Sequence, residues 1–92
     1  MTERPLKAVE DTAFDNDVDP EHPGWRRWEL RDDSRFNGQV MGRMLLRVEG
    51  QQVRTRMFPE HRHTNLLDIV HGATTLALMD ISIFSCGHML GL

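Results

Sequence analysis

Apolar and polar residues alternate over much of positions 39–57, and this pattern predicts a pair of β-strands. Apolar side chains recur at every second position from 44 to 48, and the run 53–57 alternates Val, Thr and Met with arginines. Such alternation is typical of strands with one buried face. The glycine-containing segment 49–52 separates the two runs. We therefore predict an antiparallel hairpin over about 39–58 with an arginine-rich outer face.

The segment from about 71 to 90 has no such alternation and no proline, and it predicts one long helix. It is rich in Ala, Leu and Met, which favour helices, and its twenty residues would span roughly 30 Å. Apolar residues occur on nearly every side, so other elements should surround it. One hairpin cannot enclose such a helix. We expect either that a partner chain covers it or that this chain is the front part of a longer domain.

The first 24 residues predict an acidic, flexible leader. Residues 1–23 contain seven acids and two bases, three prolines and few large apolar side chains. A different pattern begins after Gly24, where the spacing of Trp25, Trp28 and Leu30 favours neither helix nor strand. We expect these three residues to cap the open end of the core, with pocket lining as the alternative. The folded part would then span residues 25–92.

Charge and composition limit the possible partners. Residues 24–92 contain nine arginines and seven acids, a net charge of +2, which is too weak to predict nucleic-acid binding. Arginine suits bidentate contacts to phosphate, and ordinary solvated arginines are the alternative. The single Cys86 excludes an internal disulfide. With no signal-like N-terminus and with polar residues interrupting the apolar segment, we expect a cytoplasmic protein that does not enter the membrane.

A polar cluster lies at the predicted start of the helix. His63-Thr64-Asn65 precedes His71-Gly72-Ala73, and Asp80 follows eight residues after Gly72 within an apolar run. Burying a lone carboxylate costs several kcal/mol, so such a position needs a partner or a function. Asp80 is therefore a candidate for acid–base or nucleophilic chemistry.

The order of hairpin, polar loop and helix, together with these residues, resembles the first half of a hotdog-fold domain. More narrowly, it resembles the thioesterases related to the phenylacetate-pathway acyl-CoA thioesterase. Their motif is His-x-Asn, then Gly-x-x-His-Gly-Gly, then a carboxylate. The spacing from His63 to Asp80 matches that motif, with Asp68 and Ala73 in place of two of its glycines. The resemblance implies an α+β hotdog-type fold in which an antiparallel sheet wraps a long central helix. Here the chain ends after the helix.

The resemblance also implies an activity, which is hydrolysis of acyl-CoA to a free acid and CoA by a homodimer or homotetramer without a cofactor. Gly72 would donate its N–H to the carbonyl oxygen at the helix N-terminus. Asn65 would bind the carbonyl or orient water, and His71 would fix the loop or assist the thiolate. Asp80 would attack the carbonyl or deprotonate water. The substrate-binding residues would be His63 and Ala73.

Helix geometry separates Gly72 from Asp80. Eight residues correspond to about 12 Å along a helix axis, which is too far for both to meet one carbonyl in the same subunit. In the resembled family two helices run antiparallel across a dimer, and the partner supplies the carboxylate. The spacing therefore agrees with a site shared between subunits.

Two alternatives remain open. His61 and His63 could begin a metal site with Asp68 or His71, although the spacing is not that of a structural zinc motif. The chain could instead be a non-catalytic module that acts in assembly or binds an acyl ligand. Asn65, His71 and Asp80 each also have an ordinary structural interpretation as a capping, scaffolding or loop-bonding residue.

Overall fold

The computed structural model describes residues 13–91, which form a mixed α+β fold with antiparallel sheets and one long helix near the end of the chain. The strands and the helix are β1 Phe14–Asp15, β2 Arg26–Arg27, β3 Glu29–Leu30, β4 Met44–Glu49, β5 Gln52–Met57 and α1 Gly72–Leu90. A π-helical turn, Asn37–Met41, precedes β4, and a 3₁₀ turn, His61–His63, follows β5. The strand order is β2-β4-β5 in the main sheet, and β1 pairs with β3 beside it.

The hairpin β4–β5 has the predicted partners but a shorter first strand. Its register runs from Met44 opposite Met57 to Glu49 opposite Gln52, so a two-residue loop connects the strands. Gly50 opens that loop with φ +59°, a conformation in which a side chain would be strained. Residues 37–41 form the π-helical turn where the alternation predicted strand from residue 39.

The core lies between the main sheet and α1. Its buried members are Phe14, Trp28, Met41, Met44, Leu46 and Ile81. Trp28 is 3% exposed and stacks on Phe14, with ring centroids 3.9 Å apart and ring planes 5° apart. Trp28 is therefore part of the core, where the sequence predicted a residue capping its open end.

Residues 13–24 belong to the folded unit, which revises the predicted boundary at residue 24. β1 pairs with β3, and Phe14 is only 6% exposed. The acidic composition suggested a solvated leader, but the carboxylates of Asp15 and Asp17 lie within ion-pair distance of Arg27. The backbone also joins the segment to β2, since the Arg27 N–H donates to the Asp17 carbonyl at 2.8 Å. The rest of the predicted leader, residues 1–12, lies outside the described residues.

Asp19 anchors the same segment with a buried carboxylate. It accepts hydrogen bonds from the Glu21 N–H and from Arg43, and it pairs with His22 Nδ1 at 3.0 Å. Burial alone would raise the pKa of the Asp19 carboxyl. The hydrogen bonds from Glu21, His22 and Arg43 outweigh burial and hold that pKa below its usual range. Folding therefore favours the charged form of Asp19.

We expect the free energy of unfolding of Asp19→Asn to fall less steeply than that of the wild type as the pH is lowered. A carboxyl whose pKa is lower in the folded state stabilises the fold above its unfolded pKa, and the effect is lost as pH falls through the folded pKa. Urea unfolding between pH 6 and pH 2 should show a smaller loss of stability for Asp19→Asn than for the wild type. Asp33→Asn, which alters an exposed carboxylate, serves as the control and should retain the wild-type slope.

The helix α1 buries one face and exposes the other. Thr74, Ile81 and Ser85 are buried against the sheet side, and Ser82 hydrogen-bonds Thr55 of β5. Leu76, Met79 and Ile83 are 67%, 56% and 72% exposed. These positions recur at spacings of three and four, so they form one stripe, which we call the exposed stripe. The described chain thus leaves open the face that the sequence expected another element to cover.

By length and composition alone, α1 is also apolar enough to cross a membrane. It has 19 residues, and its 18-residue apolar stretch has a mean hydropathy of 1.3 and is 11% buried in the fold. Core helices of soluble proteins meet the same criteria.

Candidate functional site

The loop before α1 is organised by the side chain of Asn65. Its Oδ1 accepts the N–H groups of Leu67 at 2.8 Å and Ile69 at 3.3 Å. This is an Asx-type turn, in which an amide oxygen replaces a backbone acceptor. Because two backbone donors fix the oxygen, the Nδ2 group must face the other way. Within residues 13–91 it makes no hydrogen bond, so it keeps two donors for an incoming group.

Asp68 occupies the position where the resembled motif has glycine, and its backbone has φ +58°. Left-handed backbone favours glycine, and Asp and Asn are the residues that tolerate it next best. The Asp68 N–H donates to the Asn65 carbonyl at 3.0 Å. The loop thus keeps a tight left-handed turn at this position, with an added carboxylate.

His71 caps the N-terminus of α1. Its Nδ1 accepts the Ala73 N–H at 2.9 Å, and its carbonyl accepts the N–H groups of Thr74 and Thr75. Nδ1 as acceptor places the ring proton on Nε2, so His71 presents one N–H donor outward. The Ala73 N–H is thereby occupied. Gly72 is the first helical residue, and helix geometry gives its N–H no intrahelical acceptor.

His63 has a structural position, which corrects its prediction as a substrate-binding residue. It is 2% exposed, and both ring nitrogens are engaged. Nδ1 accepts the Glu60 N–H at 2.9 Å, and Nε2 donates to the Val40 carbonyl at 2.6 Å. Its own carbonyl accepts the His71 N–H at 2.7 Å. His63 therefore ties the π-helical turn, the loop and the helix start together and has no nitrogen left for a ligand.

Asn65 and His71 line one cleft of about 750 Å³ beside the helix start. The other lining residues are His61, Arg62, Thr64, Leu66, Leu67 and Asp68. The two apolar members of this wall, Leu66 and Leu67, are 102% and 76% exposed. The cleft therefore combines hydrogen-bond donors with apolar, solvent-exposed side chains at the positive end of the helix dipole.

Asp80 lies elsewhere, on α1 beside the exposed stripe. It makes no hydrogen bond or ion pair with any residue of the described chain. It borders a second cleft of about 370 Å³, lined otherwise by Phe14, Leu30, Asn37, Ile81 and Phe84. The structure thus brings Asn65 and His71 together and places Asp80 apart from them. The aromatic and aliphatic wall near Asp80 was not predicted, because Phe14 stood in a segment taken for a leader.

The described residues contain no group of three or more His, Cys, Asp or Glu side chains placed to hold a metal ion. His61 is exposed whereas His63 is buried and fully bonded, so the two do not present nitrogens to a common point. The geometry thus gives the histidine pair no common metal position.

No family model, curated protein or solved structure matches the chain. The likeness to hotdog thioesterases therefore rests on the motif residues and their order alone.

Proposed function

We propose that the chain is a hotdog-type acyl-CoA thioesterase that works as a homodimer or homotetramer in the cytoplasm. One observation supports this most strongly. Asp80, a carboxylate without a partner in the described chain, lies beside the apolar residues of the exposed stripe, one helix turn beyond Leu76. A second copy packed on that stripe would bury Asp80. Burying an unpaired carboxylate is costly, so this position indicates either a partner group across the interface or a role in chemistry.

The helix start provides the carbonyl site of the proposed reaction. The Gly72 N–H and the Asn65 Nδ2 group are donors free to bind an oxygen that becomes negative during thioester attack. A Cβ at Gly72 would meet no other atom within 4 Å. The space beside this backbone is therefore open to a substrate or to a partner chain.

Antiparallel packing of two α1 helices would join the two halves of the site. Residues 72 and 80 are equidistant from 76, so a twofold axis at Leu76 places Gly72 of one chain opposite Asp80 of the other. Both Gly72 and Asp80 lie four residues from Leu76, which puts all three on adjacent turns of one face. Gly72 and Asp80, which are about 12 Å apart along the helix within one chain, would thus lie next to each other across the interface.

The proposed step is hydrolysis by activated water. Asp80 of one chain takes a proton from water, and the hydroxide adds to the carbonyl carbon. The resulting oxyanion is bound by the Gly72 N–H and by Asn65 of the other chain. Collapse of this intermediate breaks the carbon–sulfur bond and releases CoA thiolate. The proton held on Asp80 returns to the thiolate, and His71 Nε2–H stabilises the departing charge by hydrogen bonding.

A cysteine placed on the proposed axis tests the assembly. In a Cys86→Ser background, we expect Leu76→Cys to form a disulfide-linked dimer readily, because the axis brings residue 76 of each chain against its copy. Non-reducing electrophoresis after mild oxidation measures the linkage. The matched control is Val18→Cys, which is 56% exposed and distant from α1 in sequence. Equal linkage in both variants, or none at residue 76, contradicts the antiparallel arrangement.

A second candidate function is acyl-ligand binding without turnover. The apolar wall of the cleft beside Asp80, which includes Phe14, Ile81 and Phe84, favours this alternative because it suits an acyl chain. A panel of aryl and aliphatic acyl-CoAs separates the two functions. Release of free CoA thiol above the uncatalysed rate supports the thioesterase. Saturable binding of acyl-CoA without thiol release supports the binding module.

A further inference from the structure

The outer face of the hairpin, which points away from α1, has three exposed arginines close together. They are Arg47, Arg54 and Arg56, which we call the arginine face. The register sets Arg47 directly opposite Arg54. Like charges directly opposite one another on a sheet are destabilising. Their placement therefore weakens the sheet unless an anion lies between them.

The chain itself supplies too few acids for this face. Glu49 pairs with Arg47 at 2.8 Å and with Arg54 at 3.1 Å, so a single carboxylate serves both. Acids of the N-terminal segment lie against other arginines, Arg27 and Arg43. Within residues 13–91, Arg56 has neither an ion pair nor a hydrogen bond. Three arginines against one glutamate leave the arginine face with a net charge of +2.

Two aromatic rings hold Arg56 in place. Its guanidinium carbon lies 5.9 Å from the centroid of Trp25 and 5.2 Å from that of Phe58. Cation–π contacts of this kind orient the guanidinium without using its N–H donors. Arg47 is also positioned, since its Nε pairs with the Glu49 carboxylate at 2.8 Å. The face therefore has oriented donors, and those of Arg56 are free within the described chain.

We propose that the arginine face binds a small ligand containing two adjacent phosphoryl groups. Opposite residues of an antiparallel pair lie about 5 Å apart, and residues two apart on a strand lie about 7 Å apart. Arginine side chains are long enough to reach neighbouring phosphoryl groups from such positions, and their planar forks match phosphate oxygens in bidentate pairs. A lone phosphate would engage fewer of the three arginines. This site is separate from the proposed thioester chemistry, because α1 packs on the opposite face of the hairpin.

Calorimetric titration with inorganic diphosphate at low ionic strength, without divalent cations, tests the proposal. We expect binding that weakens at least about tenfold in Arg56→Gln and in Arg54→Gln. The matched control is Arg35→Gln, an exposed arginine paired with Asp32 outside the hairpin, which should bind within about twofold of the wild type. Glu49→Gln removes the competing carboxylate and should tighten binding several-fold. Inorganic monophosphate should bind more weakly than diphosphate.

Further titrations identify the source of the phosphoryl groups. ADP and CoA, which both contain a diphosphate, should compete with the inorganic ion. Three results would overturn the proposal. Absence of diphosphate binding at millimolar concentration, or equal losses in Arg35→Gln and Arg56→Gln, overturns the site. Tighter, Arg56-dependent binding to anionic vesicles or to a single-stranded oligonucleotide overturns the ligand class. Asp80→Asn should leave diphosphate binding unchanged, so failure of the thioesterase proposal is distinguishable from failure of this one.

Discussion

Replacing Asp80 by Asn is expected to lower kcat for acyl-CoA hydrolysis by about 10²–10⁴-fold, the range typical for loss of a general base. Asparagine keeps the size of the side chain and cannot accept the proton from water. Asp80 has no partner within the described chain, so the substitution removes no contact that holds the fold. The effect should therefore appear in kcat, with little change in thermal stability. Asp33→Asn, a second exposed carboxylate, is the activity control.

Mixing variants tests whether the site is shared between chains. Asp80→Asn and Asn65→Ala should each be inactive as homodimers. In a mixed dimer, one site combines the intact Asn65 of the first variant with the intact Asp80 of the second. Refolding the two together should restore about a quarter of wild-type activity, because half of the dimers are mixed and each has one complete site. Wild-type kcat in Asp80→Asn, or no recovery on mixing two variants that are each inactive, contradicts the shared mechanism.

Trp28→Ala is expected to lower the free energy of unfolding by about 3–5 kcal/mol, as large-to-small aromatic changes in cores do. The substitution removes a ring that is 3% exposed and stacked on Phe14. The loss is a large fraction of the about 5–15 kcal/mol that stabilises a typical domain. Urea unfolding at one fixed protein concentration measures it, since assembly would make stability depend on concentration.

Trp28→Phe is the matched control for the ring. The Trp28 Nε1 is buried and has no hydrogen-bond partner in the described structure, so phenylalanine removes a polar group that stabilises nothing there. It also keeps aromatic stacking on Phe14. We expect a cost clearly below that of alanine. A cost equal to that of Trp28→Ala would mean that aromatic stacking on Phe14 does not account for the stability that Trp28 contributes.

The hairpin and the helix could be predicted because their signals are local. Alternation from Met44 to Met57 marks strands wherever the rest of the chain lies, and an apolar run without proline marks a helix. The first strand was predicted to begin too early, at residue 39. The hydrophobic pattern there is too weak to distinguish a strand from the π-helical turn Asn37–Met41. Gly42, with φ +73°, ends that π-helical turn and redirects the chain into β4.

Contacts between distant residues could not be predicted. The stacking of Phe14 on Trp28 depends on a tertiary fold that brings β1 beside β3. The composition of residues 13–24 suggested solvation, because a carboxylate such as that of Asp17 has the same sequence signature whether it faces water or an arginine. His63 was misassigned for the same reason. A histidine whose two ring nitrogens are hydrogen-bonded within the fold and a histidine that binds a ligand look the same in the sequence.

The site could be predicted in part. The spacing between Asn65 and His71 predicted a joint position at the helix start, and both residues line one cleft there, beside the turn that the Asn65 amide closes. Helix periodicity separated Asp80 from them, and the structure places it in a different cleft. Hydrolysis and dimerisation stay predictions, because they depend on a substrate and a second chain.

The ring of Phe14 also contacts that of Phe84, with centroids 6.2 Å apart across seventy residues of chain. Contacts of such long sequence separation slow folding, because the loop between them must close before they contribute. On the ribosome, β1 and the sheet would emerge first and wait for the helix to complete their core. We therefore infer that the core around Phe14 closes only after α1 has been synthesised.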